Sequence, residues 1–391
     1  MNRPLCVMLV AAEVSGDQLG AGLARALRRR LGADLRLVGV GGSEMAREGV
    51  ESPFDIAQLS ILGIFEGVAA YGKVLRLAEE TAELARRERP DVAVLIDSWG
   101  FTVRVAKRLR RDRPDLPLIK YVGPQVWASR PGRARTLARA VDHLLSIHPL
   151  DAPYFEREGL PVTFVGNPAL ARDIATADGG RFRAAAGVAA DTPLLLVAPG
   201  SRPLEVARLA APFSDALARL HAVRPELRVV VPVAETVADQ VKAAVAGWPG
   251  RPILVEDAAG RADAMKAANV ALACSGTLTT ELALAGCPMV VAYRLGVLTH
   301  AVLKRIMQTK HVTLFNIAAG REIAPELIQD ACTGPRLAAA VGARLDDPGL
   351  RERQRAAQFA ALDLMGRGGP DPSEAAAEAV LKMLVERPAQ S

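Results

Sequence analysis

Short apolar runs alternate with longer amphipathic segments along most of the chain. In the first half, LCVMLVAAE, LRLVGVGG and DVAVLID are each followed by a segment with helical spacing of apolar residues. Continuous apolar runs of this length are typical of strands buried on both faces, and their alternation with helices predicts parallel βαβ units. PLIKYVG, DHLLSIHP and PVTFVGNP continue the series, so this half predicts one doubly wound sheet.

A polar stretch after Pro168, RDIATADGGRFR, separates this series from a second one. The strands predicted for the second series are PLLLVAPGSR, LRVVVPVA, PILVED, VALACSG and PMVVAYR, with a helix between successive members. We therefore predict an α/β protein of two doubly wound, Rossmann-like domains, 1–170 and 171–345, that face a cleft. Helices within 346–391 are predicted to pack on the first domain, the last of them crossing back to it. A length of 391 residues agrees with two domains.

Composition narrows the classes of function. The formal net charge of +6 favours an anionic partner. Aromatic residues make up only 4% of the chain and no basic run is interleaved with them, so no nucleic-acid partner is expected. The apolar run at the N-terminus is too short for a signal peptide, and no stretch reaches the ~20 residues that span a bilayer. We expect a cytoplasmic protein and leave peripheral membrane contact open.

Neither a metal nor an organic cofactor is expected. The four cysteines lie far apart without a CxxC pair, which predicts reduced packing residues, and the five histidines show no ligand spacing. Only His311, near Asn316, is kept as a candidate site residue. The glycines after the first two strands do not fit GxGxxG, so a dinucleotide-binding site is not supported.

The turn VAPGSR (197–202) is the first of two predicted anion sites. Ser201 and Arg202 follow a buried strand and precede a helix, so their backbone N–H groups are predicted to face an anion. The Arg202 guanidinium adds a fork suited to phosphate. The alternative is an ordinary turn with a surface arginine.

The turn CSGTLTTE (274–281) repeats this pattern after another strand. Its small residues can close around a diphosphate; they are Ser275, Gly276 and Thr277. Glu281, about one helical turn later, is predicted to accept hydrogen bonds from ribose hydroxyls. The alternative is a capped helix with Thr277 or Thr279 as the cap, and the two interpretations are compatible.

The first domain carries the candidate for proton transfer. Asp97 ends the buried strand of VLIDSWGF, where a carboxylate suits general base catalysis. The alternative is a helix cap formed by Asp97 or Ser98. Ser15, Gly16 and Asp17 follow the first strand, where a glycine lets a sugar or lipid headgroup approach the backbone.

Residues 59–80 have apolar side chains at helical spacing, with Lys73 and Arg76 nearby. The pattern fits a helix that enters a membrane interface with its cations on lipid phosphates. It also fits an amphipathic helix packed on the first sheet. The residues predicted for membrane contact are Ile61, Ile64, Phe65, Val68, Tyr71 and Leu75.

Taken in order, segments along nearly the whole chain resemble the lipid-A-disaccharide synthases. They include EVSGDQLGAGL, LSILGIFEG, YVGPQVWASR, APGSRPLEV, SGTLTTE and TLFNIAAGRE. These inverting glycosyltransferases join UDP-2,3-diacylglucosamine to 2,3-diacylglucosamine 1-phosphate and release UDP. The resemblance implies a GT-B fold, no obligatory metal and a peripheral position on the cytoplasmic face of the inner membrane, whose anionic surface is an expected partner. A homodimer is left open.

The resemblance also implies roles for individual residues. Asp97 corresponds to the base that activates the 6-hydroxyl of the acceptor. The residues implied to hold UDP are Ser201, Arg202, Ser275, Gly276, Thr277, Thr279, Glu281 and Asn316. Those implied to line the acceptor side are Glu13, Ser15, Gly16 and Asp17.

Five positions depart from the usual pattern of the family, and they are Ala12, Trp99, Ser129, Asn167 and Phe315. Trp99 and Ser129 fall near the predicted acceptor site, so they concern acceptor preference more than binding of the donor. The alternative within enzymes is another UDP-sugar-dependent GT-B protein, a lipid glycosyltransferase or an epimerase. A two-domain ligand-binding protein and an inactive relative are further alternatives.

Overall fold

The computed structural model describes residues 3–60, 67–170, 174, 176–296, 307 and 309–386. The chain divides into two compact units. The first unit combines the residues up to Pro168 with those from Gly369 onward, and the second is Ala169–Gly368.

The first unit is built on a parallel six-stranded sheet with the order β2-β1-β3-β4-β5-β6. Its strands are β1 (Leu5–Val10), β2 (Leu35–Val40), β3 (Val92–Ile96), β4 (Leu118–Tyr121), β5 (His143–Ser146) and β6 (Val162–Phe164). Successive β1 residues join different apolar clusters, Met8 and Val10 one and Val7 and Leu9 the other. Because side chains alternate along a strand, the sheet is buried on both faces, which explains its continuous apolar runs.

Helices cover both faces of this sheet. They are α1 (Val14–Leu31), α2 (Ser43–Arg47), α3 (Ala57–Ser60), α4 (Gly67–Glu88), α5 (Trp99–Asp112), α6 (Arg133–Ala138), α7 (Ala152–Glu156) and the C-terminal helix α16 (Pro372–Glu386). The last helix packs against α1, with Ala376, Ala377 and Val380 fully buried.

The second unit has a parallel six-stranded sheet with the order β12-β11-β10-β7-β8-β9. Its strands are β7 (Leu194–Ala198), β8 (Arg228–Pro232), β9 (Ile253–Val255), β10 (Val270–Cys274), β11 (Met289–Tyr293) and β12 (Glu326–Ile328). Within the described residues, its helices are α8 (Gly179–Ala185), α9 (Pro203–Val223), α10 (Ala238–Val245), α11 (Ala258–Ala267), α12 (Thr277–Leu284), α13 (Leu314–Ala319), α14 (Gly334–Asp346) and α15 (Pro348–Leu364).

The predicted α/β fold with two doubly wound sheets is confirmed, as is the return of the last helix to the first unit. The unit boundaries differ from the predicted ones, because residues 346–368 belong to the second unit. Helix α15 is held there by Gln354 and Gln358, whose side chains donate to backbone carbonyls of Met289 and Cys287. The predicted cleft between the domains stays a prediction.

Each sheet has one point at which the strand order reverses. It lies between β1 and β3 in the first unit and between β7 and β10 in the second. In doubly wound sheets, ligands bind outside the carboxyl ends of the strands at such switch points. The two predicted anion turns follow β7 and β10, and Asp97 follows β3. The predicted residues therefore lie at the switch points of the two sheets.

Candidate functional site

Asp97 lies in a sharp left-handed turn between β3 and α5. Asp97 has φ +48° and Ser98 has φ +36°, which is an uncommon backbone region for residues other than glycine. The Asp97 N–H donates to the carbonyl oxygen of Tyr121 at 2.8 Å. The Ser15 hydroxyl donates to the Asp97 carboxylate at 2.8 Å. The structure therefore brings two predicted residues together at the switch point of the first sheet.

Gly16 allows the first turn of α1 to approach the end of β3. A Cβ atom on Gly16 would lie 3.3 Å from Ala11 Cβ and 3.5 Å from the Ile96 carbonyl oxygen. Glu13, just before this helix, is exposed. Glu13 is therefore accessible to a ligand, whereas Gly16 is buried and serves the packing of α1 on the sheet.

Asp17 has a different role from the predicted one. Its carboxylate accepts hydrogen bonds from the N–H groups of Gly42, Glu44 and Met45 at 2.7, 3.0 and 3.0 Å. The residue is only 3% exposed. Both carboxylate oxygens are therefore used at the N-terminus of α2, which corrects the expectation that Asp17 lines the acceptor side.

Lys120, on β4, was not among the predicted residues. It is 2% exposed, and its ammonium donates to the Asp97 carbonyl oxygen and to the Thr102 hydroxyl. Burial lowers the pKa of Lys120 to about 7, which the carboxylates of Asp97 and Glu13 oppose. The signal in the sequence is a single lysine inside the apolar run LIKYV.

A second buried network holds the loop after β4. The Trp127 indole N–H donates to the Asp151 carboxylate at 2.9 Å, and the Ser146 hydroxyl donates to its other oxygen. Burial raises the pKa of Asp151 to about 6. The Arg133 guanidinium lies 5.3 Å from the ring centre of Trp99, so this departure from the family pattern has a cation–π partner.

In the second unit, the side chain of Glu205, in the first turn of α9, reaches back to the turn after β7. It accepts hydrogen bonds from the N–H groups of Ser201 and Arg202 at 3.1 and 3.3 Å. The Arg202 guanidinium pairs with it at 3.0 Å, while the arginine side chain is 77% exposed. The prediction that these N–H groups face an external anion is therefore corrected: they donate to the Glu205 carboxylate of the following helix.

The turn after β10 has the open N–H groups that the sequence predicts. Among the described residues, the N–H groups of Gly276, Thr277 and Leu278 donate no hydrogen bond. A Cβ atom on Gly276 would meet nothing within 4 Å. By contrast, Thr279 is buried, and its hydroxyl donates to the Gly276 carbonyl at 2.7 Å. Thr279 therefore stabilises the first turn of α12 rather than facing a ligand.

A pocket of about 210 Å³ lies between these two turns, at the switch point of the second sheet. The predicted residues that line it are Ser201, Ser275, Gly276, Thr277 and Glu281. Arg261, from α11, also lines it and was not predicted. In the described part of the chain its guanidinium has no side-chain partner. The pocket thus combines open backbone donors with a cation that is available to an anion.

A larger cavity of about 700 Å³ borders the opposite, amino ends of β10 and β11. Arg183 in its wall donates to backbone carbonyls of Ala189, Thr192 and Ala267 and thereby holds the fold. Because doubly wound sheets bind ligands at the carboxyl ends of their strands, the smaller pocket is the candidate site.

Asn316 does not reach this pocket. It is fully buried, its amide nitrogen donates to the Ala324 carbonyl and to Glu326 at 2.9 Å each, and its oxygen accepts from two backbone N–H groups. The implied contact with UDP is corrected, because all of its hydrogen-bonding groups are used within the protein. His311, the other candidate here, has Nδ1 3.4 Å from the same Glu326 carboxylate.

The segment predicted to contact the membrane lies only partly within the described residues. Ile61, Ile64 and Phe65 lie outside the described residues, as does the side chain of Val68. Tyr71 is 52% exposed and Leu75 is partly buried. Leu77, on the same helix, packs into the apolar core of the first unit. No described helix has the length and apolarity needed to cross a membrane.

The described His, Cys, Asp and Glu side chains form neither a metal site nor a reactive thiol centre. Among the described residues, no group of three or more His, Cys, Asp or Glu side chains could hold a metal ion. All four cysteines are buried and unpaired, and burial raises the pKa of the Cys287 thiol to about 12. They are packing residues, as predicted.

Several solved structures share the fold. The Staphylococcus aureus MnaA–UDP structure has a TM-score of 0.65 with 15% identity, covering 99% of this chain and all of that one. MurG from Acinetobacter baumannii has a TM-score of 0.58 with 17% identity, covering 97% of this chain and all of that one. At these identities the likeness concerns the fold alone.

Sequence comparison is more specific. The model of the lipid-A-disaccharide synthetase family matches residues 7–379. The lipid-A-disaccharide synthase of Rhodospirillum centenum is 42% identical over 385 residues, which cover 98% of this chain and 96% of the relative. That of Ruegeria pomeroyi is 43% identical over 392 residues, with the same coverage. Near-complete coverage on both sides means that the chain belongs to the lipid-A-disaccharide synthase family.

Proposed function

We propose that this protein condenses UDP-2,3-diacylglucosamine with 2,3-diacylglucosamine 1-phosphate to give the lipid A disaccharide 1-phosphate and UDP. Membership of the family supports the overall reaction. The observation that carries the proposal at the level of residues is the 210 Å³ pocket, where open N–H groups and Arg261 meet at a switch point. Such a site suits the diphosphate of a sugar nucleotide.

The donor's diphosphate would be held by two kinds of group. The N–H groups of Gly276, Thr277 and Leu278 point from the start of α12, where the helix dipole favours an anion. Arg261 supplies positive charge, because Arg202 is already paired with Glu205. Glu281 lines the same pocket and is the proposed acceptor for the ribose hydroxyls.

Arg202 is kept as a second ligand of the diphosphate. Its side chain is 77% exposed and can turn to a bound phosphate, while the Glu205 carboxylate keeps its hydrogen bonds from the N–H groups of Ser201 and Arg202.

The proposed chemical step is a single displacement with inversion. Asp97 takes the proton of the acceptor's 6-hydroxyl as its oxygen bonds to the anomeric carbon of the donor. The bond from that carbon to the UDP oxygen breaks, and UDP leaves with the bonding electron pair. The Ser15 hydroxyl, 2.8 Å from the carboxylate, orients it for this transfer. Arg261 and the N–H groups of the 275–278 turn stabilise the charge on UDP.

The acylated substrates lead us to propose the cytoplasmic face of an anionic inner membrane as the working location. Residues 61–75, with Tyr71 exposed, are the proposed contact. Cosedimentation with vesicles of anionic and of zwitterionic lipid tests this, since equal binding to both would contradict an electrostatic contribution. A homodimer stays an open prediction.

The assay uses purified protein with both acylated substrates and follows UDP and disaccharide together. Asp97→Asn is expected to lower kcat by about 100-fold or more while the Kd for UDP stays within about twofold. Asp191→Asn, at an exposed position, is the matched control. Near-normal turnover of Asp97→Asn excludes Asp97 as the base, and absence of product from the unaltered protein excludes the proposed reaction.

Arg261 is tested by direct binding of UDP. Arg261→Ala is expected to raise the Kd by roughly 10-fold or more, which corresponds to one charge-assisted hydrogen bond. Arg219→Ala is the control, because this arginine pairs with Asp215 on the exposed face of α9. The alternative, a UDP-sugar epimerase, would interconvert epimeric UDP-sugars without an acceptor, which the same assay detects by chromatography.

A further inference from the structure

Lys120 is a cation in an unfavourable place. It pairs in register with Leu95 on β3 and Leu144 on β5, in the middle of a buried sheet. Its ammonium lies at the first turn of α5, where the helix dipole already places partial positive charge. Burial and the dipole both oppose a charge there, so an apolar side chain of similar length would serve the sheet better.

The Lys120 ammonium donates a hydrogen bond to the backbone of the left-handed turn formed by Asp97 and Ser98. Its acceptors are the carbonyl oxygen of Asp97 and the hydroxyl of Thr102, the latter at 2.8 Å. Thr102 in turn donates to the carbonyl oxygens of Asp97 and Ser98, which lie 2.9 and 3.0 Å away. Two consecutive left-handed residues are strained, and such a turn persists only where its surroundings hold it.

The ammonium also lies in the field of two carboxylates. Asp97 follows β3 and Glu13 precedes α1, and both favour the charged form of Lys120 against its burial.

We infer that Lys120 is a positioning residue for Asp97: with Thr102, it holds the left-handed turn and thereby the orientation of the Asp97 carboxylate. The inference rests on the proposed function, because it takes Asp97 as the base. It gives a reason for a buried charge that packing alone does not explain.

The main test is Lys120→Met, which keeps the length and removes the charge and the donors. We expect kcat to fall by roughly 10- to 100-fold, with the KM of the acceptor and the Kd of UDP within about threefold. We expect the difference in kcat between the unaltered enzyme and Lys120→Met to be largest below pH 7 and to shrink as the pH rises through 7, because the Lys120 ammonium, whose pKa is about 7, loses its charge there. The melting temperature at pH 7 should be unchanged or higher.

A second pair of variants covers the case in which Lys120→Met does not fold. Thr102→Val removes the hydroxyl at nearly constant volume and should lower kcat several-fold, whereas Thr102→Ser should restore it. A kcat within twofold of the unaltered enzyme for Lys120→Met, or equal kcat values for the two Thr102 variants, overturns the inference. A fall in both kcat and melting temperature that does not depend on pH also overturns it, because it marks a purely structural role. Near-normal turnover of Asp97→Asn, by contrast, overturns the proposed function itself.

Discussion

Substitution of Asp17 distinguishes a structural role, measured as stability, from a role in acceptor binding, measured as KM. Asp17→Ala removes the acceptors of three backbone N–H groups, those of Gly42, Glu44 and Met45. Each buried donor left without a partner costs ~1–3 kcal/mol, and partial entry of water reduces the total. We expect a loss of ~3 kcal/mol from the free energy of unfolding of the first unit. At ~2–4 °C per kcal/mol for a unit of this size, the melting temperature falls by roughly 6–12 °C.

Thermal unfolding followed by circular dichroism measures this loss, and hydrogen exchange of the Met45 amide localises it. Asp17→Asn keeps one acceptor oxygen and should lose about half as much. Glu44→Ala is the control, since the exposed Glu44–Arg47 pair contributes ~1 kcal/mol or less. Well below the melting temperature, the KM of the acceptor should change less than twofold. Unchanged stability together with a large increase in that KM would refute the capping role and restore Asp17 to the acceptor site.

Three further predictions follow from features of both units. Gly200→Ala should raise the Kd of UDP by roughly 10-fold, because a Cβ would lie 2.6 Å from Glu205 Cβ and displace the carboxylate that orders the turn; unchanged UDP titrations would contradict this. The folded state raises the pKa of Asp151 from 3.8 to about 6, so its contribution to stability is complete below pH 4 and declines as the pH rises through 6. Asp151→Asn should flatten that decline in urea unfolding between pH 4 and 7, and a slope equal to that of the unaltered protein would exclude this origin. Glu374→Ala should lower the midpoint of urea unfolding far less than Asp17→Ala does, although Glu374 pairs with Arg29 and Arg30, because these ion pairs lie at the surface; an equal loss would contradict this.

The fold was predictable because its signals are local. Continuous apolar runs mark strands buried on both faces, and the helices between them make those strands parallel. The turn at 275–277 was predictable for the same reason, since small residues directly after a buried strand lie at the carboxyl edge of the sheet. Glu205 also had a local signal, because a glutamate at the third position of a helix is typical of a capping box.

The other site residues depend on contacts that the sequence does not express. The N–H groups that Asp17 caps lie 25 to 28 residues away, so the motif around it looks the same whether it faces a ligand or the backbone. Arg261 reaches the pocket from α11, whose sequence has no motif. Asn316 has a family role by resemblance, yet its amide is used by its own loop. In the sequence, Lys120 appears only as a single charge in a strand. The turn to which it donates a hydrogen bond follows a different strand, β3.

The return of α16 to the first unit determines when that unit can fold during synthesis. Ala376, Ala377 and Val380 complete an apolar cluster whose other members are mostly made in the first 170 residues. The second unit is contiguous, so it emerges whole from the ribosome while the first still lacks its closing helix. A truncated chain that ends before Pro372 therefore exposes the apolar face of α1 that the last helix covers in the full chain. Such a product is expected to be retained by chaperones or degraded, even though Asp97 and the pocket of the second unit are both present.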